Sequence, residues 1–278
     1  MRIDLHTHSA VSDGTDSPAE LVAAAAAARL AVVALTDHDT FDGLPEALAA
    51  GQRLGIEVVP GMELSCSRGG QSVHLLAYGA DPGDADLAAE MALVRDGRSS
   101  RLRPVLAKLA ELGVPVTEES VLSFVGGSPS VGRPHIADAL VAAGYYADRG
   151  AAFAEVLHPR SPYYVPTYAI ETVDAIRMVR EAGGLAVLAH PAAGRMTRSV
   201  DVSALEEFVA AGLWGIELDH PENRDDWIAP LTAFAKSNGL HITGASDYHG
   251  AGKDNRLGER TSSLETWNAI RSLVTVPR

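Results

Sequence analysis

Short aliphatic runs that alternate with capped helices are the feature that most constrains this chain. Ser17-Pro18-Ala19-Glu20 places a capping serine three residues before a glutamate and proline at the first helical position, so an alanine-rich helix opens there and ends near Arg29. A strand at 32–35, a helix at 41–54 and a strand at 56–59 follow, and after a turn at Gly69-Gly70 a further strand occupies 73–78. From residue 83 the rhythm stops. Helical patterns at 87–112, 121–125, 134–143 and 151–157 have no strand between them, and the proline-rich run Ser161-Pro162-Tyr163-Tyr164-Val165-Pro166 leads back to the main body. Strands at 185–189, 215–218 and 240–244 then alternate with helices, one opened by a capping box at Ser203 and Glu206 and the last at 264–273. With a short strand at residues 3–8, the count is about seven. This predicts an α/β chain: a parallel (β/α) barrel over 1–82 and 168–278, one strand short of eight, with a helical subdomain inserted at 83–167.

With 278 residues, 46% hydrophobic and 21% charged, the chain reads as a globular protein able to bury a core. Asp and Glu outnumber Lys and Arg by 36 to 23, and the net charge of -13 argues against a broad nucleic-acid surface or an anionic membrane as partner. Cys66 is the single cysteine, so no intrachain disulfide can form and a cytoplasmic setting is expected. The start, M-R-I-D, carries no apolar leader, and the apolar tract at 20–35 is interrupted by Arg29, which excludes it as a membrane span.

In such a barrel the chemistry gathers where strands end. Ile3 and Leu5 on one face of the first strand put His6 and His8 together on the other, because strand side chains alternate. Asp13 follows in a loop able to fold back over them. The second strand ends in Thr36-Asp37-His38-Asp39, the third in Glu63, and the fourth begins near His74. His190 ends the fifth, and Asp247 and His249 after the last strand repeat the paired spacing of His6 and His8. Each alone has an ordinary explanation as a cap, a salt bridge or a strand end. Nine candidate ligands at successive strand ends, all imidazole or carboxylate and no thiolate, instead suit two or three zinc, manganese or iron ions.

The H-T-H, T-D-H-D, G-M-E, H-L-L-A-Y, A-H-P and S-D-Y-H segments resemble the motifs of the PHP (polymerase and histidinol phosphatase) family of metal-dependent phosphoesterases. The resemblance spans nearly the whole chain and implies a distorted seven-stranded barrel with three divalent metal ions. Carried over motif by motif, it implies that His6, His8, Glu63 and Asp247 hold one ion. Glu63, bridging, would hold a second with His74 and His190, and Asp13, His38 and His249 a third. Three divalent cations exceed the charge of the three ligand carboxylates, so an anionic substrate would dock despite the acidic surface. A water bridging two ions would lose a proton and attack phosphorus, with no serine or cysteine nucleophile needed. Asp247 and His220 are candidates for protonating the leaving alcohol.

The insertion carries Gly132-Arg133-Pro134-His135 at a helix start, where free N–H groups and a guanidinium favour phosphate; it resembles the R-P-H segment of stand-alone PHP phosphoesterases. Arg133, His135, Arg160 and Tyr164 are the expected substrate contacts, with Tyr163 and Tyr164 also readable as packing. His158 and His241 read as structural. The expected activity is hydrolysis of phosphate esters of nucleotides, on a 3′,5′-nucleoside bisphosphate or stepwise from the 5′ end of a short oligonucleotide. A histidinol-phosphate phosphatase is the alternative. An amidohydrolase fits less well, because Lys108, Lys236 and Lys253 mark no convincing strand end for a bridging lysine, and a non-catalytic module fits poorly with a full ligand set. The oligomeric state is left open.

Overall fold

Two glycines decide how the first half of the sheet is built. The computed structural model describes residues 1–193 and 201–275, and within it β1 (Ile3–Asp4), α1 (Pro18–Ala27), β2 (Val32–Leu35) and α2 (Leu44–Leu54) lead into a long β3 (Glu57–Arg68). Gly69 and Gly70 both take positive φ, +55° and +78°, the pairing that a type I′ two-residue hairpin turn requires and that residues with a Cβ adopt reluctantly. β3 therefore runs on past Glu63 and turns straight into β4 (Gln71–Tyr78), with Arg68 opposite Gln71. Two expectations are corrected here: β3 does not end at Glu63, and the sheet is not all parallel, since β4 is antiparallel to its neighbours on both sides.

The helical stretch follows: α3 (Ala85–Ser100), α4 (Leu102–Leu112), α5 (Glu118–Leu122), α6 (Arg133–Ala142), α7 (Arg149–Ala152) and a π-helical stretch Phe153–Leu157. The single helix expected over 87–112 is broken at Arg101. Pro104 has no N–H to give and its ring clashes with the carbonyl four residues back, at Ser100, so the helical hydrogen bonding is interrupted there although Arg101 itself keeps helical φ and ψ. After β5 (Ile170–Glu171) come α8 (Thr172–Glu181), β6 (Leu185–Leu188), α9 (Val202–Ala211), β7 (Gly215–Asp219), α10 (Asp225–Ser237), β8 (His241–Gly244) and α11 (Leu264–Leu273). The cap of α9 is Asp201, whose side chain accepts from Ser203 N–H, rather than Ser203 itself.

The sheet order is β1-β2-β3-β4-β6-β7-β8, with β5 pairing off this path with β3. Just beyond β8, Thr7 bridges to Tyr248, His8 N–H donates to Tyr248 O at 2.8 Å and Asp247 N–H to His6 O at 2.9 Å. These bonds bring the two ends together in a nearly closed barrel of seven strands, and they also put His6, His8 and Asp247 side by side. Buried Ile3, Leu5, Leu76, Tyr78 and Val187 pack with Trp267 and Ile270 of α11. Leu87, Met91 and Val94 of α3 join the apolar cluster of the barrel and its covering helices, whereas Leu102, Leu109, Ile136, Leu140 and Leu157 form a separate one. No described helix is long and apolar enough to cross a membrane.

Candidate metal centre

Glu63 is the hub. Mid-strand in β3 and 1% exposed, it has Oε2 3.2 Å from His6 Nε2, 3.1 Å from His8 Nε2 and 3.2 Å from His38 Nδ1. Its Oε1 faces the other way, 2.7 Å from His74 Nδ1 and 2.9 Å from His190 Nε2. One carboxylate thus gathers five imidazoles, which outweigh its burial and hold it well below the usual carboxylate range. Asp247 closes the first group, with Oδ1 3.4 Å from His6 Nε2 and 3.3 Å from His8 Nε2. Asp13 anchors another, 3.2 Å from His249 Nε2 and 3.7 Å from each of His8 Nδ1 and His38 Nε2.

Ligand atoms within 4.8 Å of one another fall into four sets: His6, His8, Glu63 and Asp247; His8, Asp13, His38 and His249; His38, Glu63 and His74; and His6, Glu217 and His220. The donors suit divalent cations. His6 Nε2 and His8 Nε2 meet at 3.0 Å, and buried His38 Nδ1 lies beside Glu63 Oε2 without making a hydrogen bond. Burial, aided by His8 and Arg98, holds the His38 ring well below its usual range, so it is neutral and free to ligate. His249 Nδ1 donates to Asp247 O at 2.8 Å, which turns its Nε2 lone pair toward Asp13.

Local backbone geometry aims these side chains. Asp39, His190 and Asp247 adopt left-handed φ of 55°, 28° and 53°. Such conformations cost about 1–3 kcal/mol each where a Cβ is present, and His190 does so immediately before Pro191, where extended backbone is favoured. The loop after β1 folds back as expected. Gly14 makes this possible, since a Cβ there would sit 2.3 Å from the carbonyl oxygen of His8.

All nine predicted ligands come together, and His220 joins them, its Nε2 3.5 Å from Asp247 Oδ2. The helical stretch reaches the loop between His8 and Asp13 through His135, whereas Arg133 makes its contacts within the stretch. His135 accepts Gly132 N–H at 3.0 Å and bonds the Ser12 backbone, while Arg133 donates to Leu157 O at 3.0 Å with its guanidinium 5.6 Å from the Phe153 and Tyr164 rings. Arg160 is exposed; its N–H donates to His158 Nδ1, and no contact among the described residues joins it to Arg133 or Tyr164. His241 stacks on Trp214 at 4.1 Å, a packing role.

Sequence reading passed over three residues here. Glu217, fully buried, takes His6 Nδ1 at 3.1 Å and accepts His190 N–H at 2.9 Å; its place between Ile216 and Leu218 in a period-two strand was a usable signal. Lys253, dismissed with the other lysines, puts Nζ 2.6 Å from Asp247 Oδ2 and 3.4 Å from Glu222 Oε1, and no pattern in its glycine-flanked loop announces it. Arg149 grips both oxygens of Asp138 at 2.6 and 2.7 Å and donates to Asp13 O at 3.0 Å, fastening the helical stretch to the loop that carries Asp13.

Comparison with known proteins agrees with this geometry. The family model of the PHP domain matches residues 4–109. A 3′,5′-nucleoside bisphosphate phosphatase of Chromobacterium violaceum is 36% identical over 262 residues, 94% of this chain and 92% of that protein. A 5′-3′ exoribonuclease of Haemophilus influenzae is 32% identical, over 89% of this chain and 90% of its own length. A solved structure from Bifidobacterium adolescentis, named for metal-dependent phosphoesterase activity, superposes with a TM-score of 0.94 at 37% identity, covering 98% of this chain and 96% of that one. With ligand motifs, barrel and near full-length similarity in accord, the chain belongs to the PHP family.

Proposed function

We propose that this protein hydrolyses phosphate esters of nucleotides with the help of divalent metal ions, as a 3′,5′-nucleoside bisphosphate phosphatase or a 5′-3′ exonuclease on short oligonucleotides. The observation that carries the reading is Glu63, whose two oxygens face two separate histidine sets and suit a carboxylate shared between ions. In this reading His6, His8, Glu63 and Asp247 hold one ion, Glu63, His74 and His190 a second, and Asp13, His38 and His249 a third. When bound, such ions activate water and neutralise phosphoryl oxygens. The chain's own groups do the rest. Glu217 fixes the His6 tautomer so that Nε2 keeps its lone pair for the centre. Asp247 gives Oδ1 to His6 and His8 and Oδ2 to Lys253 and His220, so His220 is held where it can hand a proton to a leaving oxygen. The helical segment at 83–167 selects the substrate through Arg133 and Tyr164.

Zinc, manganese and iron all fit these donors, so the test supplies each in turn. Adenosine 3′,5′-bisphosphate, a 5′-phosphorylated RNA pentamer and histidinol phosphate are incubated with the enzyme. Inorganic phosphate from the first, or stepwise mononucleotides from the second, is expected. Turnover of histidinol phosphate alone would refute the nucleotide reading.

A further inference from the structure

Arg149 stands where three segments meet. Asp148 caps α7, its side chain accepting Ala151 N–H at 2.8 Å, and so sets Arg149 at the first position of that helix. The guanidinium takes both oxygens of Asp138 on α6 with Nε and Nη2, which leaves Nη1 for the carbonyl of Asp13. Nη1 also lies over Gly252, where a Cβ would collide with it. Gly252 N–H donates to His249 O at 3.1 Å, and Thr15 N–H donates to the same oxygen at 3.1 Å. The two loops joined in this way carry Asp13 and His249, whose Oδ1 and Nε2 face each other at 3.2 Å.

The charges are arranged to suit a neighbouring cation. A bare guanidinium beside an ion site would oppose metal binding. Arg149 is instead matched by Asp138, so it holds the Asp13 carbonyl without bringing uncompensated positive charge to the centre. The helix it grips is also the one that begins with Arg133, and its His135 bonds the Ser12 backbone in the loop leading to Asp13. Ile136 and Leu140 of that helix pack with Leu102, Leu109 and Leu157 in a cluster separate from the barrel's, so polar ties such as that of Arg149 decide how α6 sits on the barrel.

We propose that Arg149 is a positioning residue that couples the third ion site, made of Asp13, His38 and His249, to the seating of α6. With Asp13 and His249 drawn to one ion, their loops hold Arg149, and Arg149 holds the helix that presents Arg133. Coupling of this kind is reciprocal, so a seated α6 also favours the filled site. The proposal rests on the three-ion reading above and adds that the third ion is the one on which the substrate-selecting helix depends.

The test titrates apoprotein with manganese by calorimetry and follows amide hydrogen exchange over residues 133–157 by mass spectrometry, in wild type, Arg149→Met, Arg149→Lys and Gly252→Ala. In wild type, manganese is expected to slow exchange in α6 and α7 about tenfold. In Arg149→Met one class of manganese site is expected to weaken about 10–100-fold, the others staying within about twofold of wild type, and exchange in α6 no longer responds to the metal. Arg149→Lys keeps the charge and loses the fork, so it falls between the two. Gly252 does not take a left-handed φ, so alanine fits its backbone; the added Cβ pushes the guanidinium aside and gives the Arg149→Met result in weaker form without altering a ligand. Wild-type α6 exchange that ignores manganese overturns the coupling. So does Arg149→Met that binds manganese as tightly as wild type or tighter, or that loses affinity equally at every site. Should Arg149→Met not fold, Arg149→Lys and Gly252→Ala decide by the same criteria. Wild type that takes up no manganese refutes the metal-centre reading itself, and the coupling with it.

Discussion

Replacing Glu217 by Gln changes one oxygen to an amide and removes one charge, yet the site is built so that the change matters. Glu217 meets two donors: its Oε1 takes His6 Nδ1–H at 3.1 Å and its Oε2 takes His190 N–H at 2.9 Å. Glutamine has one acceptor. Either the His6 ring or the His190 amide must then face an NH2 group, a donor-on-donor contact in a fully buried place. A buried group left unsatisfied costs about 1–3 kcal/mol. Rotating His6 to escape would turn its Nε2 from Glu63 and Asp247, 3.2 and 3.4 Å away. Burial alone would raise the Glu217 carboxyl, but His6, His220 and His190 outweigh it and hold it below the usual range, so the lost charge is one the histidines depend on. Partners behind ligating histidines are worth about 10–100-fold in metal affinity, and each tenfold is about 1.4 kcal/mol. Titration of Glu217→Gln apoprotein with manganese, by calorimetry and by recovery of activity, should show affinity weakened by that factor in a chain that still melts cooperatively. Affinity and kcat within twofold of wild type would refute the assignment.

Three further outcomes follow from the same geometry. Lys253→Met removes the cation 2.6 Å from Asp247 Oδ2 and should lower kcat about 10–100-fold while Tm hardly moves; kcat within twofold would dismiss the contact. Arg149→Met cuts the bidentate grip on Asp138 and the bond to Asp13 O, so thermal melting should show a loss of about 1–3 kcal/mol with weaker manganese binding, and unchanged values in both would disprove the clamp. Burial would push the His8 ring down, but Asp247, Glu63 and Asp13 prevail and raise it to about 9. The stabilising proton is fully present below the ordinary value of 6.5, is lost as pH rises through about 9, and must leave when an ion binds. Manganese affinity should therefore climb from pH 7 to 9 with proton release, and a flat profile would refute this.

Most of the candidate ligands were legible because they lie just beyond strand ends and the H-x-H and D-x-H spacings survive in one dimension, whereas Glu63 and His74 sit inside β3 and β4. The hairpin was half legible. Gly69-Gly70 announced a turn, but only the paired positive φ values show that it reverses β3 directly into an antiparallel β4. The break at Arg101 was hidden because Pro104 sits where it could open a helix as readily as end one, and α4 does begin just before it. Lys253 could not be read at all. Its meeting with Asp247 depends on how the loop after β8 turns back past His249, and a turn of that kind leaves no period behind.

The acidic composition also takes on a meaning that charge counting misses. Asp4, Asp37, Asp39 and Glu217 are all buried, and they brace the segments that carry the candidate ligands. Asp37 accepts Ser9 N–H at 2.7 Å and the hydroxyls of Ser9 and Ser12 at 2.6 and 2.7 Å, holding the loop between His8 and Asp13. Asp4 accepts Ser246 N–H at 2.9 Å, its hydroxyl at 2.6 Å and Gly258 N–H at 2.8 Å, fixing the residue before Asp247. Asp39 accepts Ser65 N–H at 2.7 Å beside Glu63. Burial nonetheless raises Asp4 to about 6 and Asp37 above its ordinary value, a cost that folding bears before any ion arrives. What that cost secures is order: side chains drawn from strands far apart in the chain already sit within a few ångströms of one another, so an entering ion need not organise them. A chain selected for stability alone would have filled these positions with apolar residues, as neighbouring Ile3, Leu5 and Ile216 already do.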